Sequence, residues 1–325
     1  MVFLRKIIYL LLIAVGTSIL LYSCKSDSSK SIPDVSNIKI NLHFDRYDKA
    51  LMEIDTTKGT ADIDKVIAQF PEVSRQLAEL LRDASTKKST EQEVLLNYAK
   101  NPVAHLIYDT CNVVYPDFKL QKEKLTSAFQ FYKYYFPKRL TPQVVTFTSE
   151  YSLGNFTIAD SIVGIGLDFF LGENHIAYPS IFPNYIKRFL NKDHLASKAI
   201  EAIATNIVGV NNSNTMLDNM IYSGKILYIV DKLMPYEQDS VKFTFSKEQM
   251  QWCKDNEFNI WQFFIEQKLL YSTEPQMYRK YVDYSPNSPG MPGEAPGRTA
   301  CFIGYKIIEN FMDKNPNTTM EELLL

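Results

Sequence analysis

The chain has 325 residues, a formal charge of −2 and no long basic run beyond its start, which argues against nucleic acid and wide electrostatic membrane docking. A hydrophobic content of 46%, with 13% aromatics, is ample for a packed core, and 12 glycines and 15 prolines exclude a fibrous or low-complexity protein. Four cysteines, widely spaced and without a C-x-x-C pair, exclude a disulfide scaffold and a local thiolate metal site.

Arg5 and Lys6 open the chain, and residues 7–21 are apolar almost without a break. The run is short for a mature membrane-spanning helix and suits an export signal. It ends in Leu21-Tyr22-Ser23-Cys24, which resembles the lipobox of bacterial lipoproteins. That resemblance implies that residues 1–23 are removed and that Cys24 carries the lipid, as the first residue of the mature chain. Several acyl chains at ~0.8 kcal/mol per buried methylene hold a protein on a membrane far better than one. The other reading is an uncleaved anchor with an incidental cysteine. Residues 24–37 are polar and poor in core formers, a flexible tether ahead of a body spanning 38–325.

Ile38, Ile40 and Leu42 alternate with Lys39, Asn41 and His43, the pattern of a half-buried strand. Helical spacing starts after Arg46, and a helix over 62–83 should break into two pieces at Pro71. Further helical pattern covers 91–99, 103–114 and 121–136. Val144 to Thr148 is a strand by composition, and 155–158 with 161–167 reads as a hairpin turning at Ala159-Asp160. The three are expected to form one antiparallel sheet. A Pro- and Tyr-containing loop follows through Pro183. Helices are expected over 195–208, 215–234, 246–271 and 299–312, with a long Pro/Gly loop at 285–297. The fold class is α+β, an α-rich single domain around a small antiparallel sheet. Cys111, Cys253 and Cys301 can form at most one disulfide and are equally suited to be core thiols.

Candidate chemistry is thin. His43, His105, His175 and His194 are the only histidines, and none lies a helical turn from another, so no local metal pair exists. Asp168 with Glu173 and His175 is the best cluster of ionisable groups, since a carboxylate can orient an imidazole for acid–base work. The simpler reading is that Asp168 anchors its loop by accepting backbone hydrogen bonds. On the 215–234 helix, Asp218, Tyr222, Lys225 and Lys232 form a polar stripe on an otherwise apolar surface. A partly buried Lys225 needs a carboxylate, with Asp218, Glu257 and Asp168 as candidates; a buried ion pair is the simpler reading and a catalytic lysine the alternative. Gly224 is expected to allow close helix contact. Trp252, Phe258, Trp261, Phe263 and Phe264 should be mostly core, with Asn256 and Glu257 free to grip a loop or partner. Arg298 opens a helix, where a cation is mildly disfavoured, so it is expected to pair with Glu257 or Asp168 and pin the Pro/Gly loop over a cleft.

An ordered set of short segments resembles the gliding motility lipoprotein GldB family of Bacteroidota. They are Tyr134-Tyr135-Phe136-Pro137, Gly166-Leu167-Asp168-Phe169-Phe170-Leu171-Gly172, Tyr222-Ser223-Gly224-Lys225, Trp252-Cys253-Lys254-Asp255-Asn256-Glu257, Leu270-Tyr271-Ser272-Thr273 and Pro296-Gly297-Arg298 followed by Gly304-Tyr305. The resemblance implies an envelope lipoprotein of the gliding machinery, which is shared with type IX secretion, and implies no known reaction. That family is in turn similar to zinc-peptidase-like proteins with HExxH on a helix behind a small sheet. Here the helix after the sheet reads Ala199-Ile200-Glu201-Ala202-Ile203-Ala204-Thr205-Asn206, without histidine, and Ser223-Gly224 stands where the next helix would carry a glutamate before glycine.

The expectation is therefore a non-catalytic structural or binding component. It would be lipid-anchored through Cys24 outside the cytoplasm, on the periplasmic face rather than the cell surface. Its partners would be other gliding or secretion envelope proteins, with no cofactor, no metal and no nucleic acid. The alternatives are a hydrolase or peptidase-like enzyme using Asp168, Glu173 and His175 or the Lys225 stripe, and a glycan-binding lipoprotein suggested by aromatic content alone.

Overall fold

Two strands buried on both faces organise the body. In a computed structural model that describes residues 32–83, 87–212 and 214–324, β2 (Gln143–Phe147) and β4 (Ile162–Gly166) lie side by side and parallel. Their runs Val-Val-Thr-Phe and Ile-Val-Gly-Ile-Gly lack polar alternation, which is what central strands covered on both faces require. β3 (Asn155–Ile158) is antiparallel to β4 and half-exposed, and its polar/apolar alternation suits an edge. β1 (Phe44–Arg46) pairs parallel with β2, giving the order β1-β2-β4-β3.

The sheet is therefore mixed, and the antiparallel expectation is corrected. Residues 149–153 are a crossover, not a hairpin turn. Glu150 and Tyr151 are left-handed there (φ 52° and 63°) and carry the chain past the place that β4 then fills. The hairpin itself turns at Ala159 (φ 45°) as the sequence indicates. The 38–42 strand is also corrected: burial alternates there as expected, but ladder pairing starts only at Phe44.

On one face of the sheet Val145 and Phe147 meet the N-terminal helices: α1 (Tyr47–Met52), α2 (Ala61–Gln69), α3 (Pro71–Leu81), α4 (Glu91–Ala99) and part of α5 (Pro102–Val114). Proline occupies the first turn of α3 and α5, where its missing N–H costs no intrahelical bond. Thr90 and Glu93 close a capping box on α4. Within this layer the Phe156 ring lies over Gly164, where a Cβ would meet it at 2.3 Å.

On the other face Val144, Val163 and Ile165 meet α6 (Lys119–Tyr135), α9 (Leu195–Val208), α10 (Met216–Leu233) and α15 (Thr299–Lys314). Between sheet and α9 come a 3-10 turn (Leu167–Phe169) and two single-turn helices, α7 (Tyr178–Ile181) and α8 (Asn184–Lys187), where the sequence suggested only loop. The expected 246–271 helix is three pieces of structure: α12 (Lys247–Asp255), a break at Asn256, and α13 (Glu257–Glu266), which ends before residue 271. α11 (Asp239–Phe243) and α14 (Pro275–Val282) complete the set. Val35–Leu325 form one compact unit. Cys111, Cys253 and Cys301 are buried free thiols.

The tightest contact is the crossing of α10 and α15. A Cβ at Gly224 would sit 2.3 Å from the Gly304 carbonyl oxygen, and one at Gly304 only 1.9 Å from that of Met220. The backbones touch there, as the glycine in the α10 sequence suggested.

Candidate functional site

Both parallel strands end on the same side of the sheet, and the first fixed point there is Asp168. Its carboxylate is wholly buried and accepts the Ser149 N–H at 3.0 Å and the Tyr151 N–H at 2.7 Å through one oxygen. Two backbone donors converging on one anion stabilise the left-handed crossover loop. Asp168 thus has the anchoring role. Burial pushes its pKa up to about 6, against the pull of those N–H donors.

His175 does not reach Asp168. Its Nε2 lies 2.7 Å from the Tyr151 hydroxyl, and its ring packs edge-on to Tyr178. Burial lowers its pKa, so the ring is biased to the neutral form. Glu173 is exposed in the adjacent turn. The expected Asp168–Glu173–His175 cluster is therefore corrected to an Asp168–Tyr151–His175 chain with Glu173 outside it.

Beside this chain runs a cleft of about 660 Å³. The first residues of β3, with Phe169, Phe189 and Leu190, form apolar walls, and α9 supplies Lys198, Glu201 and Asn206, with Tyr284 closing the far side. The α9 surface is apolar through Leu195, Ala199, Ile200 and Ile203; Lys198 and Glu201 interrupt it one turn apart, and their charges meet at 2.5 Å. The Lys198 ammonium also donates to the Tyr284 hydroxyl at 2.5 Å and lies over the Tyr284 and Phe189 rings.

Arg298 joins from behind. It is left-handed (φ 64°) at the start of α15, donates to Thr244 Oγ1 at 2.7 Å, stacks on Tyr284 at 4.4 Å and lies 3.9 Å from Glu201. The sequence argument that it needs an acid holds, but the acid is Glu201 on α9 and neither Glu257 nor Asp168. Burial disfavours the charges of Lys198 and Glu201. Their mutual attraction outweighs it, so the Lys198 pKa is raised and the Glu201 pKa lowered. The Pro/Gly loop is tied to itself as well, with the Ser288 hydroxyl on the Pro296 carbonyl at 2.6 Å and on Thr299 at 2.7 Å.

The remaining sequence candidates lie elsewhere. Lys225 points at the Leu324 carbonyl at 3.5 Å instead of a carboxylate, because Asp218 is committed to the capping box with Thr215. Glu257 faces Lys306 at 3.8 Å in a separate groove of about 730 Å³ between α13 and α15. Of the 252–264 aromatics, Phe264 is core and Trp252, Trp261 and Phe263 pack against it as expected, while Phe258 (74%), with Phe311 (46%), is exposed in that groove. Six candidates thus occupy four places, and only Arg298 reaches the charged floor of the cleft. Lys198, Glu201 and Tyr284 went unrecognised, although two charges one turn apart on an apolar helix are a readable signal.

Among the described residues no group of three His, Cys, Asp or Glu is placed to hold a metal ion, and no helix is long and apolar enough to cross a membrane. Cys24 lies outside the described residues. The family model for gliding motility protein GldB matches residues 28–325. No curated protein and no solved structure matches the chain. The match spans nearly the whole chain, including the strands, α9, Arg298 and the α10–α15 crossing, and the protein belongs to the GldB family of gliding motility proteins.

Proposed function

We propose that the protein is an envelope lipoprotein of the gliding machinery. In this reading it is held outside the cytoplasm by lipid on Cys24, on the periplasmic face, and acts in the part of the machinery linked to type IX secretion. Its body is a non-catalytic binding element, and the cleft beside β3 and α9 is where a partner is received. One observation carries the reading: the ionisable groups around the cleft are committed to holding the fold. Asp168 holds the crossover loop, His175 is held by Tyr151, and Glu201 is shared by Lys198 and Arg298. The peptidase resemblance fits as ancestry, because α9 keeps a carboxylate but no histidine and uses that carboxylate as an ion-pair partner.

The test is made in the native cells. A fatty-acid probe should label the protein, and Cys24→Ser should abolish the label and reduce spreading. His175→Ala and Lys225→Met should each leave spreading and protein level intact. Loss of spreading at normal protein level in either of these two would sink the non-catalytic reading in favour of an enzyme.

A further inference from the structure

The floor of the cleft holds more positive than negative charge. Lys198 and Arg298 share a single carboxylate, Glu201, and Arg188 adds a third cation one layer back. Arg188 is engaged by neutral oxygens, those of the Thr244 carbonyl at 3.1 Å and the Gln249 amide, and its buried Nε has no partner. The acid that acts on it is Glu173, which is exposed. Buried cations without matching anions are costly, and an incoming anion relieves that cost.

Hydrogen-bond accounting gives the same answer independently. The Tyr284 hydroxyl accepts from Lys198, and Thr244, which spends its one proton on the Phe243 carbonyl at 2.5 Å, offers the Tyr284 proton only an acceptor 3.4 Å away. Lys198 spends one N–H on Glu201 and one on Tyr284, and a third remains. Among the described residues the third Lys198 N–H has no acceptor, and the Tyr284 proton has only that long one. Lys198 and Tyr284 line the cleft, whose walls are Phe169, Phe189, Leu190 and Ala202. Two donors beside a surplus of positive charge, at the foot of an apolar slot, select an acceptor-only charged group on an apolar body.

We propose that this cleft receives a carboxylate carried on an apolar group, bound by the Lys198 ammonium and the Tyr284 hydroxyl. The proposal rests on the binding role above and names its ligand chemistry. Two sources share that chemistry, the C-terminus of a chain ending in an apolar residue and a free fatty acid. Asn206, also in the lining, is held by Asp160 at 2.9 Å through one amide N–H and carries no charge, so the charge-selective contact falls to Lys198.

The experiment uses the full-length chain in lipid nanodiscs, with empty nanodiscs as the blank, and titration calorimetry. The probes are N-acetyl-Ala-Leu-Phe as free acid, the same peptide as C-terminal amide, decanoate, and decanol. A bond from a buried donor to a charged acceptor predicts that an acid binds at least about tenfold tighter than its neutral counterpart. Tyr284→Phe, which keeps the ring under Arg298 but takes an acceptor from Lys198, should weaken the acid and leave the amide unchanged, with a lowered thermal midpoint but an unchanged circular dichroism spectrum; Lys198→Met should abolish the difference. Preference for the peptide acid identifies a chain terminus, and preference for decanoate identifies a fatty acid; either supports the assignment. Equal binding of acid and neutral probes, or binding of none at millimolar concentration, overturns it. That result leaves the non-catalytic reading standing, because that reading is judged separately by His175→Ala and Lys225→Met in cells.

Discussion

Just ahead of its first residue α15 is held by charge, and further along it is held by having no side chain at all. Arg298 is fixed by Glu201, Thr244 and the Tyr284 ring, whereas Gly304 lies directly against the Met220 carbonyl of α10. The two contacts fail differently. Backbone-to-backbone packing has no slack, since neither partner can rotate away. The charged contact has several partners, and the loss of one leaves the others. The glycine crossing therefore sets how close α10 and α15 lie, and the ionic floor can be remodelled by a ligand without moving the helices.

The largest expected effect comes from breaking the tighter contact. Gly304→Ala puts a methyl 1.9 Å from a helix carbonyl, and the two helices must separate to admit it. A loss on the order of 3 kcal/mol or more is expected, read as a large drop in urea midpoint. A loss under about 1 kcal/mol would mean that the crossing is looser than its geometry implies.

Next comes the charged end. Arg298→Met keeps much of the apolar stem but removes the guanidinium, and breaking a buried pair costs about 3–5 kcal/mol when the partner is stranded. Here Glu201 keeps Lys198, so about 2 kcal/mol is expected, and the Arg298→Met with Glu201→Gln double variant should lose less than the sum of the singles. Strict additivity would show that the 3.9 Å approach of these groups carries no coupling.

How much of this contrast is legible in the residues depends on the range of the interaction. Gly224 on an apolar helix announces a close neighbour, and the α4, α10 and α12 starts follow from local pattern and capping boxes. Arg298 announces the need for an acid, but which acid depends on how α9 is rotated beneath it, a tertiary fact. Glu257 and Asp168 were reasonable partners by composition, and the fold sends one to Lys306 and the other to backbone N–H groups. The direction of β4 is the same kind of case. Residues 149–153 have the length of a hairpin loop, and only the double-sided burial of β2 and β4 says that they are neighbours in a parallel pair.

The smallest effect at neutral pH belongs to Asp168, and its signature is a slope. In the unfolded chain this carboxyl titrates near its ordinary value of 3.8, and in the folded protein near 6. Above about pH 6 both states carry the charge, and the folded state bears the cost of burying it. Between about 6 and 4 the folded state holds a proton that the unfolded state lacks, so this group's contribution becomes more favourable as pH falls, and below that range the gain is complete. Asp168→Asn keeps an oxygen for the Ser149 and Tyr151 N–H groups but sets an amide NH2 where the other carboxylate oxygen is buried without a partner. Relief of the buried charge and the stranded donors oppose each other, so the variant should lie within about 1 kcal/mol of wild type at pH 7. Other groups, such as Glu201 with its lowered pKa, lose stability in acid in both proteins, so the quantity to follow is the difference between them. Wild type should gain on the variant steadily from pH 6 to pH 4. If urea midpoints give a constant difference across that range, Asp168 is not held as an uncompensated buried charge, and the Ser149 and Tyr151 N–H donors offset its burial in full.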